Sequence, residues 1–154
     1  MKGFVRGDLD GFVGLALDNL VLLLLISGLG HFVLGFDDAL LLGTVLPGAA
    51  VSLLVGNLFF AWQARKLAAR EGRDDVCALP FGLNTITVFS FVFLVMLPAK
   101  LAAIAAGSAD PARAAWLAGL LACFGTGVIE FFGAFVAGWV RRHTPRAALL
   151  STLA

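Results

Sequence analysis

Four long hydrophobic runs, separated by short polar stretches, dominate the chain. A helix that crosses the roughly 30 Å hydrocarbon core of a bilayer needs about 20 apolar residues, and each run is long enough. The pattern therefore predicts an all-α, multi-pass membrane protein in which residues 1–154 form a single transmembrane domain. The predicted spans cover residues 11–35, 39–62, 76–98 and 114–140, and a fifth begins near 147–154.

The composition supports this interpretation. Hydrophobic residues make up 60% of the chain and charged residues 14%, against about 45–50% and about 25% in soluble domains. Intrinsic disorder is excluded, because it requires low hydrophobicity and high net charge. The net charge is +1, which provides no field that would attract nucleic acid. The lipid bilayer is thus the first predicted partner.

The positions of the cations predict the topology. Nine of the eleven Lys and Arg residues precede span 1, follow span 4 or lie between spans 2 and 3. By the positive-inside rule, the N-terminus and the 63–75 loop lie in the cytoplasm, as in a protein of the cytoplasmic (inner) membrane. The 63–75 loop resembles a helical extension that ends at Gly72, and Asp110-Pro111 is typical of a helix start.

The third span contains residues that oppose a continuous helix. Pro80 lacks an N–H group, and Gly82, Asn84 and Thr85 follow it. A span that begins extended and becomes helical near Asn84 fits better, and such backbone survives at membrane depth only inside protein or along a cavity. The half-helix would then direct its positive end at a planar polar ligand or an anion, with Asn84 or Thr85 as cap and ligand contact. The alternative is a simple proline kink.

Two further polar positions lie within spans. Asp18 and Asn19 occur early in span 1, and Glu130 lies in the middle of span 4. Because a charged side chain in the membrane is costly, each is a candidate for a functional role: Asp18-Asn19 for a solute or ion, and Glu130 for a proton or ion. The alternatives are an interfacial Asp18 and a structural, hydrogen-bonded Glu130.

Other features predict packing rather than chemistry. Pro47, Asn57 and the glycines of span 2 indicate packing and a kink, and the glycines around Glu130 permit close helix approach. No metal site is predicted from the scattered His and Cys residues, and no cofactor motif is present. Since no nucleophile–base pair appears either, a membrane enzyme is the weakest of the hypotheses.

Several motifs together resemble the xanthine/uracil permease family, the nucleobase–cation symporters, especially its purine-permease-like branch. The Pro-x-Gly-x-Asn stretch of span 3 is the most specific of them. The motifs are Asp18-Asn19, Leu46-Pro47-Gly48, the stretch 56–64 that begins Gly56-Asn57, and the stretch 78–85 around Pro80.

The resemblance implies a fold, a function and a site. Members have roughly fourteen spans in two inverted repeats of seven, so this chain would be the N-terminal part of such a transporter core. The implied function is proton- or sodium-coupled uptake of nucleobases by a secondary active transporter, and a homodimer of the full-length protein is compatible with it. Spans 1, 3, 8 and 10 build the family's substrate site. The residues that carry over are Asp18, Asn19, Phe81, Gly82, Asn84 and Thr85.

Two other functions remain open at this point. One is a complete four-span protein that acts as an oligomeric scaffold or assembly factor. The other is an anion carrier of the related sulfate-transporter class.

Overall fold

The structure is a computed structural model that describes residues 6–73 and 75–143. Four helices in these ranges are long and apolar enough to cross a membrane, and no strand is present among the described residues. For the described residues, the prediction of an all-helical protein with four helices of membrane-spanning length is therefore confirmed. The predicted start of a fifth span near 147–154 lies outside the described residues. The four helices are Asp8–Leu34, Asp38–Glu71, Thr85–Ala105 and Pro111–Val140.

Three of the four spans contain a π-helical segment. Two of these segments lie directly before a Leu-Pro pair, at Pro47 and Pro98. A proline ring collides with the carbonyl four residues earlier in an α-helix, and the wider π turn gives it room. In chain order the elements are α1 (Arg6–Gly28), a π segment (Leu29–Leu34), α2 (Asp38–Leu40), a π segment (Leu41–Val45), α3 (Leu46–Glu71), α4 (Thr85–Ser90), a π segment (Phe91–Met96), α5 (Leu97–Ala105) and α6 (Pro111–His143).

The helix ends follow the expected capping chemistry. Helix α3 ends at Gly72, whose left-handed backbone (φ 65°) suits glycine. Helix α6 begins at Pro111, and the carboxylate of Asp110 accepts a hydrogen bond of 2.9 Å from the Arg113 N–H group. Both predicted boundaries, at Gly72 and at Asp110-Pro111, are therefore confirmed.

The best-buried apolar cluster joins the π segments. Gly119 lets α6 approach this cluster closely, since a Cβ at Gly119 would lie 2.9 Å from the Met96 side chain. The Phe36 ring meets the Trp116 ring edge to face, with centroids 6.1 Å apart. Tight packing is thus concentrated where the π segments meet α6. The cluster consists of Leu34, Phe36, Leu41, Val92, Met96 and Ala115.

A lysine ties the first span to the third at the same end of the bundle. The Lys100 ammonium donates a hydrogen bond of 2.9 Å to the carbonyl of Val33, in the last turn of span 1. A cation at a helix C-terminus is favourable because free carbonyls gather there. A cavity of about 520 Å³, lined in part by Asp37 and Asp110, shows that the turn after span 1 and the loop before span 4 lie together.

Candidate functional site

The third span begins with a non-helical segment, which we call the entry segment (residues 75–84). Helix α4 starts only at Thr85, and the backbone of Asn84 is extended (φ −112°, ψ 123°). The Asn84 side-chain oxygen accepts a hydrogen bond of 3.0 Å from the Thr87 N–H group, so Asn84 is the cap of the half-helix. The prediction that this span becomes helical near Asn84 is confirmed, and of the two predicted caps, Asn84 and Thr85, the structure has Asn84.

Asn57 of α3 holds the middle of the entry segment. Its amide group donates to the Phe81 carbonyl (2.7 Å), and its oxygen accepts from the Phe81 N–H group (3.3 Å). The same amide group also donates to the Leu53 carbonyl in its own helix (2.8 Å). One side chain therefore satisfies both backbone groups of Phe81, as a neighbouring strand would in a sheet.

Asn19 of α1 holds the next turn of the entry segment. Its side-chain oxygen accepts a hydrogen bond of 2.9 Å from the Leu83 N–H group. Asn19 is 8% exposed and is the one buried polar side chain among the described residues. Gly82 permits this approach, since a Cβ there would lie 3.1 Å from the Asn19 oxygen. The structure thus brings Asn19 together with Gly82, one of the predicted span 3 residues, and with its neighbour Leu83.

Gly56 of α3 lets the Phe81 ring pack directly against that helix. A Cβ at Gly56 would overlap the Phe81 ring, so the ring fills the space that a side chain would take. The Phe60 ring lies beside it, with centroids 6.0 Å apart. The backbone contacts of Asn57 and the ring contacts of Gly56 and Phe60 therefore fix Phe81 from two directions.

Asn57 and Asn19 bind alternate residues of the entry segment, Phe81 and Leu83. In an extended chain, successive N–H groups point to opposite sides. The N–H groups of Phe81 and Leu83 face the asparagines, whereas those of Gly82 and Asn84 form no hydrogen bond within the described ranges. Leu83 and Thr87 also line an apolar cavity of about 290 Å³ that extends to the buried cluster. The entry segment therefore has one bound edge and one free edge.

We call the hydrogen bonds of Asn19 and Asn57 to the entry segment the clamp. The other predicted site residues lie apart from it. The side chains of Asp18 and Glu130 are exposed and form no hydrogen bond or ion pair within the described part of the chain. Asp18 neighbours Asn19 in sequence but lies on another side of α1, because adjacent helical residues are about 100° apart. Thr85 is exposed at the start of α4. These residues remain candidates on the open surface.

Asn57 has a larger part in the site than the sequence indicated. It was expected to contribute only to packing and a kink in span 2, yet it makes three hydrogen bonds, two of them to span 3. The available signal was the cost of an amide inside an apolar span, which applies to Asn57 as it does to Asn19.

An ion-pair cluster anchors the start of the entry segment. The Arg73 guanidinium contacts Asp75 through two hydrogen bonds of 2.9 and 3.1 Å and Glu71 through one of 3.2 Å. These hydrogen bonds, and then the charge of the guanidinium, lower the pKa of Asp75 below its usual range, and Asp75 raises the pKa of Arg73 in return. All three groups are exposed, so the cluster orients the turn rather than stabilising the fold.

Within residues 6–73 and 75–143, no three His, Cys, Asp or Glu side chains gather as a metal site would require. In comparisons with known proteins, no family model, no curated protein and no solved structure gives a significant match to the chain.

Proposed function

We propose that this chain forms part of the core of a secondary active transporter, a proton- or cation-coupled permease for nucleobases or similar small planar solutes. The observation that carries this proposal is the free edge of the entry segment. Asn19 and Asn57 bind one edge of the backbone, and the N–H groups of Gly82 and Asn84 remain for a solute.

A nucleobase suits such an edge chemically. Its rim alternates hydrogen-bond donors and acceptors in one plane, and an extended backbone presents N–H and C=O groups in a comparable row. Substrate sites in many transporters lie at broken helices, where a half-helix directs its positive end at the solute. The span 3 motif also resembles that of the nucleobase–cation symporters. Chemistry and resemblance therefore favour the same solute class.

The exposed polar groups favour a site completed by further protein. A carboxylate that faces lipid costs roughly 2.5–3.5 kcal/mol, and Asp18 and Glu130 are both exposed here. In the most hydrophobic 18-residue stretch of the fourth span, no residue is buried within the described chain. We assign these surfaces to contacts with additional spans, and we assign Glu130 to proton or cation coupling.

Uptake of radiolabelled uracil, xanthine and adenine by cells that express the full-length gene tests the proposal. Asn84→Leu should abolish uptake and leave membrane insertion intact, because loss of the half-helix cap displaces the backbone N–H groups proposed to contact the solute. Thr126→Val is the matched control, since Thr126 bonds only a carbonyl of its own helix (2.9 Å). Unchanged uptake by Asn84→Leu would refute the assignment of the entry segment.

The same assay distinguishes the alternatives. Uptake of sulfate or another inorganic anion, without uptake of any base, would replace the proposal with an anion carrier. Failure to move any solute, together with a stable four-span product, would replace it with a scaffold or assembly protein.

A further inference from the structure

A second cavity, of about 400 Å³, lies between the end of α3 and the start of the entry segment. We call it the basic cavity. Lys66 and Arg70 line it from α3, where residues four apart share one face. Val76 and Leu79 line it from the entry segment. The cavity therefore combines two cations with an apolar wall.

Within the described residues, no carboxylate pairs with the cations of the basic cavity. No acidic residue of the described ranges lines the cavity, although Glu71 and Asp75 are close in sequence. Both of those carboxylates are bound by Arg73, at 3.2 and 2.9 Å. Arg70 forms no ion pair within the described residues, and the Lys66 ammonium lies over the aromatic ring of Trp62. The arrangement leaves two positive charges for an external anion.

The edge of the basic cavity has the character of a membrane interface. Trp62 lies one turn before Lys66, and the Lys66 ammonium lies 4.9 Å from the centre of its ring. Indole rings favour the headgroup layer of a bilayer. Leu67 also lines the cavity, and both Leu67 and Leu79 are exposed. Apolar side chains thus border the site where the acyl chains of a lipid would lie.

We propose that the basic cavity binds the phosphate headgroup of an anionic membrane phospholipid. Lys66 and Arg70 contact the phosphate, and Leu67 and Leu79 contact the upper part of the acyl chains. A soluble anion would use the cations alone, whereas a phospholipid also uses the apolar wall. This inference does not depend on the transport proposal, because it concerns neither Asn19, Asn57 nor the free edge.

Lipid retention tests the proposal directly. The full-length protein is purified from membranes into nanodiscs that mix phosphatidylglycerol and phosphatidylcholine, and retained lipid is counted by native mass spectrometry. The protein should retain phosphatidylglycerol preferentially. Lys66→Gln and Arg70→Gln should each weaken this preference about fivefold and together about 30-fold, since each cation near an anionic lipid contributes on that order.

Arg65→Gln is the matched control, because it removes one charge from the same helix but does not line the cavity. It should change retention less than twofold. An equal loss with Arg65→Gln would overturn the proposal in favour of diffuse attraction, and so would the absence of any preference for phosphatidylglycerol.

A second measurement leaves both cations in place. Cys77 lines the basic cavity and is a free, exposed thiol. In a Cys123→Ser background, phosphatidylglycerol should slow the reaction of Cys77 with an uncharged maleimide at least threefold, and phosphatidylcholine should not. An unchanged rate would refute lipid binding here. Equal protection by inorganic phosphate would assign the cavity to a soluble anion and would also overturn the proposal.

Discussion

The entry segment and the helix of the fourth span, α6, both contain residues that disfavour an α-helix, yet only the entry segment is unwound. Helix α6 continues for 33 residues through five glycines. The entry segment contains Pro80 and Gly82 and remains non-helical up to Asn84. Glycine lowers helix stability by about 1 kcal/mol but keeps its N–H group, whereas proline removes one. Glycine content alone therefore does not predict an interrupted span.

The entry segment and α6 also differ in the hydrogen-bond partners of their backbone groups. In the entry segment, side chains from two other spans replace the missing helical hydrogen bonds at Phe81 and Leu83. In α6 the backbone N–H and C=O groups bond to one another along the helix. The Thr126 hydroxyl also donates to the Ala122 carbonyl, four residues earlier. The unwound entry segment thus combines a helix-breaking residue with hydrogen-bond donors and acceptors from other helices. The following substitutions test this difference, in order of decreasing effect on stability.

Asn57→Leu should have the largest effect. It leaves the N–H and C=O groups of Phe81 without partners, and each unsatisfied buried group costs about 1–3 kcal/mol, so we expect a loss of about 3 kcal/mol. Unfolding of the detergent-solubilised protein in increasing dodecyl sulfate measures the loss. Ser52→Leu, an exposed position on the same helix, is the control and should stay within about 0.5 kcal/mol. Equal effects of the two variants would contradict the clamp.

Gly56→Ala should destabilise the protein by about 2 kcal/mol, because the new methyl group overlaps the Phe81 ring. Gly127→Ala in α6 meets nothing within 4 Å and should stabilise the helix by about 0.5–1 kcal/mol. The same unfolding experiment compares them. The contrast fails if both substitutions change stability in the same direction. Combining Gly56→Ala with Phe81→Ala should remove most of the overlap penalty.

Asn84→Ala should cost about 1 kcal/mol, the usual value of a lost helix cap. Asn84→Ser should retain most of the stability, since serine accepts the same hydrogen bond from the Thr87 N–H group. Hydrogen exchange of the first turn of α4 reports the effect locally. If serine proves as damaging as alanine, the side-chain bond of 3.0 Å does not hold the half-helix.

Glu130→Gln should change stability by less than about 0.5 kcal/mol, because the side chain forms no hydrogen bond or ion pair within the described chain. Under the proposed function, the same change removes a titratable group and keeps its size. Uptake by cells that express the full-length gene should then lose its dependence on an imposed pH gradient. Uptake that still follows the gradient would exclude Glu130 as the coupling group.

Much of the fold could be predicted because hydrophobic length is a local property. The four spans, the end of α3 at Gly72 and the start of α6 at Pro111 each depend on a few neighbouring residues. The break near Asn84 was predictable for the same reason, since proline and glycine act on their own backbone. The end of that span was less clear, because span 3 was expected to end at residue 98 and its helix continues to Ala105.

The partners of the entry segment could not be predicted in the same way. Asn57 and Phe81 are 24 residues apart, and Asn19 and Leu83 are 64 apart. Only the packing of the helices decides which amide reaches which backbone group. The π segments also escaped prediction, although Pro47 and Pro98 mark where two of them end. The close contact of α6 at Gly119 likewise depends on where Met96 lies.

The clamp has a consequence for biosynthesis. Asn19 and Asn57 both precede the entry segment in the chain, and a polypeptide leaves the ribosome from its N-terminus. The first two spans therefore leave the ribosome, and can enter the bilayer, before residues 75–84 emerge from it. When those residues emerge, the amides that will receive Phe81 and Leu83 have already been made. The nascent chain thus need not expose this polar backbone to lipid while it waits for a later part of the protein.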